Sequence, residues 1–474
     1  MNRLYLLLLY VLPFVFSCSK DNPEQGDAKI VIAQSEITFS ETGGTEDLYI
    51  QSNVALELKS SDESWCRVAP ASTTSTLTLK YAVTVDANPN TDERSTTITV
   101  KGGNSTEIVT IKQLAAEITG KGMESDAMTL AGKIYAGWNI GNTLEAIGGE
   151  TAWGNPQITE SYVKALKQYG FNAIRIPCSW DQYIENTTTY KIKDSWLDRV
   201  NEVVGYCVNN DVYAIVNIHW DGGWLENNCT PDKQEANNRK QQALWTQIAN
   251  RLNHYDEHLL FAGTNEPNVD NDAGKMTVLK TYLQTFIDAV RATGGNNAVR
   301  NLIVQGPNAD IAMTNTLFGS MPSDVVNNRL MVEIHYYNPW TFCGLAQDES
   351  WGKMAYYWGD YEVPGSDRNA TFGDETEMKG LFTQMKTKFV DNNIPVILGE
   401  YGVMIRTGIE NQEAHNLSRQ LYDRTVAREA KNHGLVPFYW DTGNVISRNT
   451  GAVIESYDFE GIMEGAAEGK YPFF

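Results

Sequence analysis

From about residue 120 to its end, the sequence alternates short apolar runs with longer amphipathic segments, and this alternation restricts the possible folds most. Segments such as ESYVKALKQYG and SWLDRVNEVVGYCVNN place apolar residues at helical spacing. Eight runs between such segments are typical of buried strands: KIYAGWNIG, FNAIRIPCSW, VYAIVNIHW, HLLFAGTNEP, NLIVQGPN, RLMVEIHYYNP, IPVILGEYG and LVPFYWDTG. We therefore predict an α/β fold, a (β/α)8 TIM barrel over residues 120–474. A doubly wound sheet is the competing fold, but no Gly-x-Gly-x-x-Gly motif follows the first strand.

Residues 29–115 have a different pattern, rich in Thr, Ser and Val. Alternating runs such as DLYIQS, TLTLKYAVTVD and STTITVKG, bounded by ETGG, DANPN and KGGN, predict a small immunoglobulin-like β-sandwich. The segment with Trp65-Cys66, VTVDANPNTDERSTTITV and VTIKQ resembles a BACON domain, a module attached to carbohydrate-active proteins of Bacteroidetes. The resemblance implies either glycan binding or spacing from a membrane. Few aromatic residues are present for sugar stacking, which favours the spacer.

Residues 1–17 are typical of an export signal. Met-Asn-Arg precedes the apolar run LYLLLLYVLPFVFS, which is too short to span a bilayer, and Ser17 precedes Cys18. The Ser-Cys junction resembles a bacterial lipoprotein processing site, which implies that Cys18 is lipidated and that residues 18–28 form a polar tether. Phe16 departs from the usual pattern, and an ordinary cleaved signal peptide is the alternative. The resemblance implies an exported lipoprotein of the outer membrane or cell surface; a periplasm-facing or secreted form is the alternative.

The charge of the chain excludes some classes of partner. The formal net charge is −21, with 38 Lys and Arg against 59 Asp and Glu, which argues against nucleic acid and against an anionic membrane surface. Contact with a membrane is therefore expected only through a lipid on Cys18. A neutral ligand remains compatible with this charge, and we expect a monomer, because nothing in the sequence requires an oligomer.

The cysteines indicate neither a metal site nor a redox pair. No C-x-x-C pair and no histidine at metal-ligand spacing accompanies them, so we predict no metal and no other cofactor. We predict buried, unpaired thiols for the five that follow Cys18, which are Cys66, Cys178, Cys207, Cys229 and Cys343.

Two glutamates follow apolar runs directly. Glu266 ends the fourth predicted barrel strand in Thr-Asn-Glu-Pro, and Glu400 ends the seventh in Gly-Glu-Tyr. The carboxyl ends of barrel strands carry the active sites of this fold, and strands four and seven face one another across the barrel mouth. Glycoside hydrolysis uses such a pair, with one carboxylic acid to protonate the leaving oxygen and one carboxylate to attack or to activate water.

An ordered series of strings along the predicted barrel resembles glycoside hydrolase family 5: GWNIGNT, ETAWGNP, IRIP, NIHWD, GTNEP, EIHYYNPW, LGEYG and FYWDTGN. ETAWGNP and HYYNPW are most similar to subfamily 4, which includes endo-β-1,4-glucanases and xyloglucan-specific enzymes. The resemblance implies that Glu266 is the acid/base and Glu400 the nucleophile of a retaining mechanism. We expect the negative charge of Glu400 to keep Glu266 protonated.

The resemblance also implies supporting residues. Arg175 is expected beneath Glu400, His335 and Tyr337 share one face of strand six, and Asn265 is expected to hold the sugar 2-hydroxyl. His219 is expected to contact sugar hydroxyls, Trp440 to form the floor of the −1 site, and Asn142 to face the cleft.

Tryptophans near strand ends point to a polysaccharide, because sugar rings stack on aromatic faces. We consider each of them as compatible with core packing as with a sugar subsite: Trp138, Trp153, Trp180, Trp220, Trp224, Trp340, Trp351 and Trp358. Trp153, Trp220 and Trp340 are the preferred subsite candidates because they adjoin the motifs. β-1,4-glucan, and xyloglucan in particular, is the expected substrate, with xylan and mannan backbones as alternatives. A non-catalytic glycan-binding lipoprotein is the competing function, but the retention of Glu266, Glu400 and Arg175 argues against it.

Overall fold

The computed structural model describes residues 28–40, 43–71, 78–88, 93–114 and 122–473. The chain divides into two compact units, Met1–Asn88 with Glu93–Ala115, and Pro89–Asp92 with Ala116–Phe474. The predicted signal segment, Cys18 and most of the tether lie outside the described residues.

The N-terminal unit is a sandwich of two four-stranded sheets with strand orders β1-β3-β6-β5 and β2-β8-β7-β4. Pairing is antiparallel except between β2 and β8. Alternate residues of both sheets, such as Ile50 and Val83 on one and Ile98 and Ile111 on the other, form one core. The strands are β1 (Ile30–Ile32), β2 (Glu36–Phe39), β3 (Gly44–Ser52), β4 (Glu57–Ser60), β5 (Cys66–Ala71), β6 (Thr78–Val85), β7 (Arg94–Gly102) and β8 (Ser105–Gln113). The predicted sandwich is confirmed.

The second unit is a closed barrel of eight parallel strands, in the order β10-β13-β14-β15-β16-β17-β18-β9. Each strand falls within one of the eight apolar runs, so the predicted TIM barrel is confirmed. A separate antiparallel pair, β11 (Ile184–Asn186) and β12 (Lys191–Ile192), follows β10. The barrel strands are β9 (Gly137–Ile140), β10 (Ala173–Ile176), β13 (Tyr213–Asn217), β14 (Leu259–Ala262), β15 (Leu302–Gln305), β16 (Leu330–Tyr336), β17 (Val396–Tyr401) and β18 (Leu435–Asp441).

Helices separate the barrel strands along the chain. Helix α2 shows the sequence signals that bound them: the Thr159 side chain accepts a hydrogen bond from the Tyr162 N–H at its start, and Gly170 ends it in the left-handed conformation, with φ of 105°. The helices are α1 (Ala127–Lys133), α2 (Glu160–Tyr169), α3 (Asp194–Val208), α4 (Pro231–Arg251), α5 (Ala273–Arg291), α6 (Ile311–Leu317), α7 (Trp340–Cys343), α8 (Glu375–Lys388), α9 (Gln412–Asn432) and α10 (Ser456–Glu468).

Alternation along the barrel strands separates two cores. One residue of each pair, such as Ile174 in β10 and Phe261 in β14, faces outward and packs among the surrounding helices. The next, such as Ile215, Leu260 and Ile397, fills the barrel interior together with residues of α1. Apolar side chains fill the barrel interior below its C-terminal mouth, so the inward-facing polar side chains lie at that mouth.

The five described cysteines are buried and unpaired, as predicted. Among the helices of the described residues, none is both long enough and apolar enough to cross a bilayer.

Candidate active site

The barrel strands bring the polar residues of several distant motifs to one place. Glu266 follows β14, Glu400 lies in β17, and β16 presents Glu333 and His335 two residues apart on one face. An oxygen of Glu266, an oxygen of Glu400 and a ring nitrogen of His335 all lie within 4.8 Å of one another. Such close carboxyl groups suit direct attack by one of them on the sugar, because activating an intervening water requires a separation of about 6.5–9.5 Å.

An irregularity in β17 directs Glu400 toward the mouth. Ile397 faces the barrel interior, so strict alternation would turn Glu400 outward. The register shifts between Ile334 and His335 against β16, and between Leu398 and Tyr401 against β18. A Cβ on Gly399 would lie 2.1 Å from Oε1 of Glu333, so glycine is required beside the nucleophile candidate.

Arg175 is fully buried and holds two carboxylates at once. Its Nη1 donates to Oε1 of Glu400 at 3.0 Å, and its Nε lies 2.8 Å from Oε1 of Glu333. Its Nη2 donates to Oδ1 of Asn265 at 2.8 Å, which fixes the amide next to Glu266. Arg175 therefore lies at the position expected from the sequence, and Asn265 is oriented by it.

His335 and Tyr337 engage different glutamates. Nδ1 of His335 is 2.7 Å from Oε1 of Glu266, Nε2 is 3.2 Å from Oε1 of Glu333, and the Tyr337 hydroxyl donates to Oε2 of Glu400 at 3.0 Å. Burial would lower the pKa of His335, but the charge of Glu400 and the hydrogen bonds to Glu266 and Glu333 raise it to about 10. The imidazole is therefore protonated at neutral pH, and it lies between Glu266, which follows β14, and Glu333 of β16.

The pKa values of the two catalytic candidates differ from the expected pattern. Burial raises the pKa of Glu266, but the hydrogen bond and charge of His335 outweigh burial and hold that pKa below its usual value. Burial raises the pKa of Glu400, and the charges of His335 and Arg175 oppose this rise. The charge of Glu400 alone therefore does not keep Glu266 protonated, because His335 stands between the carboxylates; the proton is shared in the 2.7 Å Glu266–His335 hydrogen bond.

His219, which follows β13, and Trp440 of β18 form a stacked pair. Their rings are 5.6 Å apart and nearly parallel, and the Asn217 side chain contacts Nδ1 of His219 at 3.2 Å. Burial and the charge of Arg175 lower the pKa of His219 well below its usual value, so this histidine is neutral. A neutral imidazole beside an aromatic face suits hydrogen bonding to an uncharged sugar.

Glu333 is a functional residue that the sequence analysis missed. It is fully buried, and Gln305 donates to its Oε2 at 2.7 Å while Arg175 and His335 contact its Oε1. Burial raises its pKa, but these partners, Arg175 above all, lower it below the usual value. An acidic residue two positions before His335 inside an apolar strand was the available signal, because a buried carboxylate requires partners.

Two cavities meet at Glu266. One, of about 500 Å³, is lined by Tyr337, Trp340, Glu400 and Trp440 besides Glu266. The other, of about 440 Å³, reaches His335 and the β15–α6 connection around Asn308. The Glu266 side chain is 40 % exposed and that of Glu400 only 7 %. Both glutamates therefore line the same cavity, with much more of Glu266 than of Glu400 open to a ligand.

The tryptophans near strand ends fall into two groups. Trp138, Trp180 and Trp358 belong to the core, since each is almost completely buried and donates its indole N–H within the protein, to Tyr162, Asn217 and Gly373. They are not sugar platforms. Trp224 is partly buried, with the Lys240 ammonium 4.1 Å from its ring centre.

The remaining candidates lie at the surface: Trp153, Trp220, Trp340 and Trp351 are between 41 % and 63 % exposed. Trp340 lines the larger cavity. Trp153, Trp220 and Asn142 line neither cavity at Glu266, and their contact with substrate stays a prediction.

Glu266, His335 and Glu400 are also the one group among the described residues with three ligand atoms near enough to share a metal ion. Each is already engaged within the protein, since His335 contacts Glu266 while Arg175 and Tyr337 donate to Glu400. The arrangement suits proton transfer and nucleophilic attack, and the absence of a cofactor stays a prediction.

Comparisons with known proteins agree with this site. Residues 139–445 match the Cellulase family (glycosyl hydrolase family 5), and residues 56–114 match the BACON family, a putative N-terminal binding domain. The chain is 34 % identical over 495 residues to a xyloglucan-specific endo-beta-1,4-glucanase of Bacteroides ovatus, covering 98 % of this chain and 96 % of that protein.

Solved structures give the same result. A Bacteroides ovatus GH5 xyloglucanase in complex with a XXXG heptasaccharide is 33 % identical, with a TM-score of 0.70, and the match covers 93 % of this chain and 100 % of that one. A GH5-4 broad specificity endoglucanase from Bacteroides salanitronis is also 33 % identical, with a TM-score of 0.66, over 73 % of this chain and 96 % of that one. The chain is thus a glycoside hydrolase with an N-terminal BACON domain, and it belongs to glycosyl hydrolase family 5.

Proposed function

We propose that this protein is a lipid-anchored, retaining endo-β-1,4-glucanase that hydrolyses xyloglucan. The observation that carries the proposal is the pair Glu266 and Glu400, with carboxylate oxygens within 4.8 Å of one another at the barrel mouth. This separation favours a covalent glycosyl-enzyme intermediate over direct attack by water.

In the proposed first step, Glu400 attacks the anomeric carbon while Glu266 protonates the departing glycosidic oxygen. Arg175 and Tyr337 hold Glu400 by its two different oxygens, which orients the carboxylate for attack. The proton comes from the hydrogen-bonded pair of Glu266 and His335. Once the bond to Glu400 forms, that carboxylate loses its charge.

In the second step, Glu266 accepts a proton from water, and this water attacks the anomeric carbon and releases Glu400. His335 again shares the proton with Glu266, because Glu333, which is itself held by Arg175, fixes the other nitrogen of the imidazole. Water enters from the side of Glu266, which is the more exposed of the two glutamates.

The choice of xyloglucan rests on two supports. The similarity to the Bacteroides ovatus xyloglucan-specific enzyme extends over nearly the whole of both chains, including the sandwich. The cleft is also wide, since two cavities of about 500 Å³ and 440 Å³ meet at Glu266, and the exposed Trp340 lines the larger of them. A branched, neutral polysaccharide fits such an opening, and it does not conflict with the net charge of −21.

Initial rates on xyloglucan, carboxymethylcellulose, barley β-glucan, xylan and mannan test the substrate. We expect the highest kcat/KM on xyloglucan, lower rates on the other two glucans and little turnover of xylan or mannan, because xylan lacks the C6 hydroxymethyl group and mannan has an axial 2-hydroxyl. Comparable rates on all three glucans would instead indicate the broad specificity of the Bacteroides salanitronis relative. Preference for mannan or xylan would contradict the proposal. Proton NMR during the first minutes should show the β-anomer forming first.

Anchoring through Cys18 is tested separately from catalysis. In cells expressing the full chain, metabolic labelling with an alkyne fatty acid should mark the wild-type protein and not the Cys18→Ala variant, and the variant should leave the membrane fraction. Replacing the buried Cys66 with Ala is the control, since its thiol lies inside the sandwich. Labelling of Cys18→Ala would contradict the anchor. Protease treatment of intact cells then distinguishes an outward-facing from a periplasm-facing protein.

A further inference from the structure

A buried carboxyl group other than Glu333 lies beside the catalytic pair. Glu226, in the segment between β13 and α4, is 7 % exposed. Its Oε2 atom has no hydrogen-bond partner among the residues that the structure describes. The mechanism above does not use this residue. An incompletely partnered carboxyl in the interior costs free energy, so its position beside the site requires an explanation.

The segment of Glu226 is fixed against the segment that carries Glu266. The backbone carbonyl of Glu226 accepts a hydrogen bond from the Asn268 N–H at 2.7 Å, and the Asn268 side chain donates to Asn227 at 2.8 Å. The backbone N–H of Glu266 and the side chain of Asn265 face the Glu226 carboxyl group. Glu226 is therefore held behind the acid/base residue at a defined place.

The charges around Glu226 couple it to the catalytic pair. Burial raises its pKa, the negative charges of Glu266 and Glu400 add to this rise, and the pKa reaches about 7 despite the donors from Glu266 and Asn265. The charge of Glu226 also raises the pKa of the Cys229 thiol, which burial brings to about 12, so this thiol stays neutral. Lys275 and Asp270 also face Cys229.

Electrostatic coupling is reciprocal. If an ionised Glu266 makes Glu226 harder to ionise, an ionised Glu226 makes Glu266 hold its proton more tightly by the same amount. This effect acts in the same direction as the charge of Glu333, which also raises the pKa of Glu266, and it opposes the charges of His335 and Arg175, which favour the ionised form of Glu266.

We propose that Glu226 is a positioning residue that helps to keep the proton in the Glu266–His335 hydrogen-bonded pair at neutral and mildly alkaline pH by holding a further negative charge, besides those of Glu400 and Glu333, near that pair. This proposal rests on the roles proposed above for Glu266 and Glu400. Below pH 6 Glu226 is mostly protonated and contributes little. Above pH 7 it is ionised, and its charge opposes loss of the proton from the Glu266–His335 pair, which extends activity toward higher pH.

The test is the pH dependence of kcat/KM for xyloglucan in Glu226→Gln, an isosteric change that removes only the charge. We expect the alkaline limb to move to lower pH, so that the ratio of kcat/KM at pH 5.5 to that at pH 8 increases about threefold to tenfold, the latter corresponding to one pKa unit. With 2,4-dinitrophenyl β-cellobioside, whose leaving group departs without protonation, the limb should not move. Glu235→Gln on α4 removes the same charge from an exposed side chain and should follow the wild-type profile.

Superposition of the Glu226→Gln and wild-type profiles on xyloglucan would overturn the proposal. An equal shift with the dinitrophenyl substrate would also overturn it, because the residue would then affect more than acid catalysis. If Glu226→Gln does not fold, the reciprocal measurement uses Glu266→Gln with ¹³C-labelled glutamate carboxyls: a buried carboxyl titrating near pH 7 in the wild type should titrate at lower pH in that variant, and no change would overturn the proposal. Should Glu266→Ala remain active on xyloglucan, the proposed function fails instead.

Discussion

Replacing Glu400 with glutamine is expected to lower kcat/KM on xyloglucan by a factor on the order of 10⁴ or more. The amide has the size of the carboxylate and still accepts a hydrogen bond from Nη1 of Arg175, but it cannot form the glycosyl-enzyme bond. Reducing-sugar release measures the loss. Calorimetry with a xyloglucan oligosaccharide should show an affinity close to that of the wild type, because the cavity lining is unchanged.

The matched control is Glu410→Gln, a change at an exposed residue in the connection between β17 and α9. It removes the same charge from the same rim and should keep wild-type rates. Turnover by Glu400→Gln above about one hundredth of the wild-type rate would contradict the assignment of the nucleophile, since covalent catalysis contributes far more than that. In the wild type, a 2-deoxy-2-fluoro cellobiosyl inhibitor should add its mass to the peptide that contains Glu400.

The barrel could be predicted from the sequence because its signal is repeated eight times. Each strand is a short apolar run, and each is followed by a segment with helical periodicity. One ambiguous element therefore does not change the predicted fold. The closed order of the strands then follows from right-handed crossovers between neighbours. The sandwich was predictable from two-residue alternation, as in β3, where Leu48 and Ile50 are buried beside exposed neighbours.

The site was only partly predictable, because its geometry depends on contacts between strands. Alternation in β16 correctly places His335 on the inner face, but in β17 it would have turned Glu400 away from the mouth. A register shift corrects this, and Glu333 packs so close to Gly399 there that a side chain at 399 would collide with it; no local pattern reveals this contact between strands. Burial in the folded chain likewise determines which tryptophans are open to a ligand. Trp138 and Trp153 both lie within motif strings, yet the first belongs to the core and the second is exposed.

Replacing Glu266 with alanine is expected to lower kcat/KM on xyloglucan by a factor on the order of 10² to 10⁴, because the leaving sugar then departs without protonation. The loss of kcat/KM should be much smaller with 2,4-dinitrophenyl β-cellobioside, since dinitrophenolate departs without being protonated by a general acid. In that case release of the glycosyl group from Glu400 becomes slow, and a burst of dinitrophenolate should precede the steady state. Stopped-flow absorbance measures both phases.

Azide distinguishes the loss of a catalytic carboxylate from a general disturbance of the site. In Glu266→Ala the missing carboxylate leaves space beside His335 for a small anion that attacks the glycosyl-enzyme without base catalysis, so azide should restore turnover and yield the β-glycosyl azide. Glu266→Gln keeps that space filled and should not respond to azide. An α-glycosyl azide, or rescue of both variants equally, would contradict the roles assigned to Glu266 and Glu400, because retention in the product requires that Glu400 first form the covalent bond.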